Sequence, residues 1–109
     1  MGRMSAIPAP VRRVLDAIDA GNADAFVTAF DADGAVDDWG REFRGHDRIR
    51  AWSDAEFIGV RVSFRDVVVS EPGNPVTLRV QVGGDGFNGP SGFTFEVRDD
   101  RVHRMTITG

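Results

Sequence analysis

Between Val76 and Val82 the chain reads VTLRVQV, with Val76, Leu78, Val80 and Val82 at every second position and polar residues between them. Successive side chains of a strand point to opposite faces, so this run specifies a strand with one apolar and one polar face. That pattern suits an antiparallel sheet with one face covered and the other solvated. Neighbouring runs have the same texture. RVSFRDVVVS alternates but slips phase around Asp66, as a bulge does; FTFEV sets Phe93, Phe95 and Val97 on one face; VHRMTI is the last strand. EPGNP, GGDGFNGPSG and RDDR supply the turns between them, so the C-terminal half reads as a meander of about four antiparallel strands.

The N-terminal half carries a different period. Pro8 and Pro10 lead into Val11, Val14, Leu15 and Ile18, the i, i+3, i+4, i+7 spacing of an amphipathic helix. Gly21 is placed to stop it and Asn22 to cap the next, in which Ala23, Phe26, Val27 and Phe30 repeat the spacing before DADG ends it. GAVDDWGREFRG reads as a short strand, a turn near Gly40 and a second short strand. From His46 or Asp47 a third helix runs through RIRAWSDAEF, with Ile49, Trp52 and Glu56 on one face, and Gly59 closes it. Helices segregated from an antiparallel sheet make the chain α+β, one domain over residues 1–109, with three helices on the concave side of a curved sheet enclosing a cavity.

Composition then restricts the chemistry. With no cysteine there are no disulfides, thiolate nucleophiles or thiolate metal sites. All 13 basic residues are arginine, which excludes a lysine Schiff base, and there is no tyrosine. A net charge of −4, with the arginines interspersed among acids, gives no footprint for nucleic acid. No apolar run approaches the ~20 residues that span a bilayer. MGRMSAIPAP lacks a signal-peptide pattern, so a cytoplasmic location is expected.

Three stretches, VLDAIDAGNADAFVTAFDADGAVDDWG, FRGHDRIRAW and FNGPSGFTFEVRDDRVHRMTI, together resemble the nuclear transport factor 2-like superfamily in their order and spacing, within its SnoaL-like and ketosteroid isomerase-like branch. The resemblance implies a cone-shaped fold, an apolar pocket and a homodimer formed through the β-sheet. It implies no single reaction. Members include isomerases, polyketide cyclases, dehydratases, epoxide hydrolases, non-catalytic binders and transport adaptors.

Asp37 and Asp38 are the adjacent carboxylates of the first strand, and strand geometry sends them to opposite faces. Asp38 shares its face with Val36 and so points inward; Asp37 points out to solvent. The isomerases that the chain resembles carry their catalytic aspartate in a similar acid–Asp dipeptide closing the same strand, which implies a proton-transfer role for Asp38. Equally open is a carboxylate that accepts bonds from a loop backbone or pairs with Arg41 or Arg44. The same isomerases stabilise their dienolate with a tyrosine on the first helix and a protonated aspartate in the later sheet. Here Val14 stands at the first place and Phe93 at or near the second, so that oxyanion machinery is missing.

His103 is in phase with Met105 and Ile107, which makes it a candidate second acid or base facing the cavity; Val102 conflicts with that phase, and the outer face is the alternative. Glu56 is a candidate at the pocket rim, and His46 reads as structural. Phe26, Phe30, Trp39, Trp52, Phe57, Phe87, Phe95 and Met105 are candidate ligand-contacting side chains. The two tryptophans offer indole N–H donors, and Phe87 stands at a loop tip able to cap a pocket mouth. Trp39 follows Asp37's face unless a bulge at Gly40 turns it inward. Two separated histidines give no metal site, no nucleophile motif supports a triad through Ser53 or Ser91, and no cofactor is required. The expectation is a pocket for a small apolar ligand. Its use is acid–base isomerase or cyclase chemistry on a carbonyl or polyketide-like substrate through Asp38, or non-catalytic binding or protein interaction.

Overall fold

The structure is a computed structural model and describes residues 7–109; the leader-free reading of the first ten residues falls largely outside them, on residues 1–6. Helix α1 (Ala9–Ala20) carries Pro10 in its first turn, where a missing N–H breaks no intrahelical bond. It ends at Gly21, whose φ of 65° lets its N–H reach back to the carbonyls of Ala17 and Ile18. The Asn22 side chain accepts from the N–H of Ala25 at 3.0 Å and caps α2 (Ala23–Thr28).

Helix α2 is shorter than its apolar spacing predicts. Phe30 already belongs to β1 (Phe30–Asp38), and DADG lies inside that strand rather than ending a helix. It forms a distorted stretch: β1 pairs with the last strand at Phe30↔Val102 and next at Ala35↔Arg104, so five steps along β1 match two along its neighbour. Then come β2 (Arg41–Arg44), α3 (His46–Glu56), a short 3₁₀ turn (Ile58–Val60), β3 (Ser63–Glu71), β4 (Val76–Gly83), β5 (Gly89–Arg98) and β6 (Arg101–Thr108).

The six strands form one sheet in the order β2-β1-β6-β5-β4-β3. Every pairing is antiparallel except β1 with β6, which is parallel. The expected bulge is present, with Asp66 at φ 55° and a register slip between Arg65 and Val68. Asp99 and Asp100, at φ 50° and 63°, make the tight β5–β6 turn.

The helices lie against the sheet, α1 touching β3, β5 and β6, and α3 touching β1 and β2. Between them Val14, Phe26 and Ile49 meet Val36, Leu78, Phe95 and Met105 in a fully buried core. Among the described residues no helix is long and apolar enough to cross a membrane.

Candidate functional site

Register places three side chains in one row across the sheet. Asp38 of β1 lies beside Ile107 of β6, and Ile107 lies opposite Phe93 of β5. This row forms part of the wall of a cavity of about 430 Å³. The wall is completed by Trp52, Ala55, Glu56 and Phe57 of α3 and its end, by Val60 and Val62, and by Val82, Gly83 and Ser91 of the central strands. Trp39, Gly86 and Phe87 contribute from two loops.

Asp38 is where strand alternation puts it, on the side of the fully buried Val36. Its Oδ2 accepts from the Arg41 guanidinium at 2.5 Å and from the Trp52 indole N–H at 3.1 Å. Oδ1 accepts no hydrogen bond among the described residues. The pairing with Arg41 follows from the hairpin, since Asp38 and Arg41 are the cross-strand pair that closes the two-residue turn Trp39–Gly40. Both turn residues have positive φ, 55° and 92°, the conformation of the mirror-image turns that suit strand twist. Glycine takes it freely; tryptophan takes it only under strain, and the result is a Trp39 ring left 66% exposed at the cavity mouth. Trp39 therefore belongs to neither strand face.

Arg41 also grips Glu56 through both terminal nitrogens, at 2.6 and 3.1 Å, tying the hairpin to the end of α3. That bond holds the Glu56 carboxyl below the usual carboxylate range, and the two carboxylates together raise Arg41 above its ordinary value. Asp37 is not merely solvated. It accepts from the Gly40 N–H at 2.7 Å and pairs with Arg104 at 3.0 Å, fixing the turn from the opposite face.

The structure corrects several candidate positions. His103 does not reach the cavity: Glu96 pairs with Arg104 but Val97 with Val102, so His103 is an unpaired bulge residue. The bulge returns Val102 to the core and leaves the His103 ring on Asp31 at 3.0 Å. Phe26, Phe30, Phe95 and Met105 are also absent from the cavity wall. They are packed in the core, Phe26 behind the wall against Trp52 and Phe57. Trp39, Trp52, Glu56, Phe57 and Phe87 do line the cavity, together with Asp38. His46 accepts the structural role expected of it, bonded to the Phe30 carbonyl at 2.8 Å.

The places of the two missing oxyanion donors are apolar in the structure as well. Val14 is fully buried, and Phe93 presents a phenyl ring in Asp38's own row. Ser91 is the wall's hydroxyl, and it already donates to the Thr108 carbonyl at 2.6 Å. Among the described residues no three His, Asp or Glu side chains gather as a metal site. Alternation could have supplied Val82, Phe93 and Ile107, which end or continue apolar runs; Val60 and Val62 follow the third helix with no periodic signal.

Comparison with solved structures returns the same architecture. A protein provisionally assigned as a polyketide cyclase from Sinorhizobium meliloti superposes with a TM-score of 0.82 at 24% identity, covering 93% of this chain and 94% of that one. A protein of ketosteroid isomerase-like fold from Catenulispora acidiphila, in complex with trimethylamine, gives 0.69 at 22% identity over 94% and 85%. An NTF-2 like protein from Burkholderia xenovorans gives 0.74 at 19% over 96% and 83%. No curated protein matches. The SnoaL-like domain model matches residues 11–105, which span both helical and sheet halves and every residue of the cavity wall except Ile107, and the chain belongs to the SnoaL-like family with the NTF2-like, ketosteroid isomerase-like fold.

Proposed function

We propose that this domain, taken as one unit over residues 1–109, binds a small, largely apolar molecule in the cavity and uses Asp38 for proton transfer beside a carbonyl of that molecule. The observation that carries the reading is the half-anchored carboxylate: Oδ2 is fixed by Arg41 and Trp52, while Oδ1 is unbonded on a wall that is mostly aromatic and aliphatic. A general base needs that combination of fixed position and a free lone pair within reach of substrate. With Val14 and Phe93 at the donor places, the chemistry fits isomerase or cyclase steps on substrates that delocalise their own charge, such as polyketide-like enones, better than steroid isomerisation. A second reading, non-catalytic binding or protein interaction, is favoured by the Arg41 clamp on Asp38.

The two separate in one experiment. Small ketones and β-diketones are incubated with the protein in heavy water, and exchange of the hydrogens next to the carbonyl is followed by NMR. Asp38→Asn is expected to slow exchange about a hundredfold while ligand affinity changes little. Exchange equal in the two proteins, with binding retained, would leave the binding module.

The reading includes a cytoplasmic homodimer joined through the sheet face opposite the helices, where Thr77, Arg79, Thr94 and Arg104 are presented. Sedimentation equilibrium is expected to return twice the 11.9 kDa chain mass, and a monomer mass removes that part.

A further inference from the structure

The charges around the cavity do not balance. Among the described residues its wall holds two carboxylates, Asp38 and Glu56, and no basic side chain. Arg41 offsets one of them from outside the wall, where its guanidinium lies over the Phe43 ring, 5.4 Å from the centroid. One negative charge is left over, facing a space lined by Trp39, Trp52, Phe57, Phe87 and Phe93. Aromatic faces carry the negative end of the ring quadrupole, and their attraction for cations grows as water is excluded.

Position within the cavity separates the two acids. The Asp38 side chain is 17% exposed and Glu56 44%, so Glu56 stands nearer the mouth, the region where the rings of Trp39 and Phe87 are also exposed. An anionic head group is disfavoured there. It would meet the Glu56 and Asp38 carboxylates, which already hold the terminal nitrogens of Arg41.

We propose that the cavity selects ligands bearing a positively charged ammonium group on a small apolar body, with the cation at the mouth against Glu56 and the exposed aromatic faces and the body running inward toward Asp38 and Phe93. This rests on the pocket reading above and is independent of whether Asp38 transfers a proton. Arg41 is then the resident cation that a ligand's ammonium group competes with for Glu56.

Both tryptophans of the chain line the cavity and there is no tyrosine, so indole fluorescence reports occupancy directly. Three probes of similar shape test the sign of the charge: benzyltrimethylammonium, its neutral isostere neopentylbenzene, and phenylacetate. The cation is expected to bind about tenfold tighter than the neutral probe, with the anion weakest. Glu56→Gln removes most of that preference. Arg41→Gln, its folding checked by circular dichroism, tightens the cation severalfold more than it changes the neutral probe. Equal or tighter binding of the neutral or anionic probe, or weaker cation binding by Arg41→Gln, overturns the charge selectivity but leaves the pocket. Binding by none of the three overturns both.

Discussion

Replacing Phe26 with alanine is expected to destabilise the fold by about 3–5 kcal/mol, the range for emptying a buried aromatic site. Phe26 is fully buried at the meeting point of α2, β1 and α3. Its ring stands edge-on to Phe30 at 5.3 Å and tilts against Phe57 at 5.4 Å and Trp52 at 6.4 Å. Two of those partners, Trp52 and Phe57, are cavity wall, so the void opens behind the site. Small domains have only about 5–15 kcal/mol in total, which makes this loss a large share. Urea unfolding followed by fluorescence should show a lower midpoint at an unchanged slope. A loss below about 1 kcal/mol would mean that the aromatic cluster repacks freely, contrary to the tight packing expected of a protein interior.

Gly59→Ala is expected to cost about 3 kcal/mol or more, for a different reason. A Cβ at position 59 would sit 1.7 Å from the Asp54 carbonyl oxygen and 2.5 Å from its carbon. Those atoms are backbone of the last turn of α3 and cannot rotate away, so either the helix end or the 3₁₀ turn must shift. Both carry cavity residues: Ala55, Glu56 and Phe57 on one side, Val60 and Val62 on the other. Loss of stability and loss of probe binding should therefore appear together, unlike in Asp38→Asn. Unfolding and probe titrations on the same preparation check this, and a variant as stable as the parent would contradict the close approach.

The parts of this fold that were legible in the sequence are those governed by local rules. Alternation places Asp38 on Val36's side, the Gly21–Asn22 pair joins two helices, and the phase slip marks the Asp66 bulge. Long-range pairing is a different matter. Period two says that β1 and β6 are strands and nothing about their lying side by side, so neither the parallel seam nor the distorted DADG segment could be read. Phe30 illustrates the competition: its spacing from Phe26 fits a helix, but pairing with Val102 claims it for the sheet. His103 was misplaced by the same blindness. Its phase with Met105 held only without a bulge, and the conflicting Val102 was the visible sign of one. Phe26, Phe30, Phe95 and Met105 are apolar enough for either core or pocket wall, and only three-dimensional packing separates the two.

The strained hairpin turn has one more consequence. Asp38, Trp39 and Arg41 fall within four consecutive residues at the tip of an otherwise ordinary pair of strands, outside the fully buried core. The turn therefore brings a carboxylate, its arginine partner and an exposed ring together at one edge of the cavity. A non-glycine residue in the left-handed region costs roughly 1–3 kcal/mol, so the chain spends foldability at Trp39 to aim a ring at the opening. Of the four, Trp39 is the one set out at the cavity mouth and free to vary, because Asp38 and Arg41 also tie the hairpin to Trp52 and Glu56 of α3.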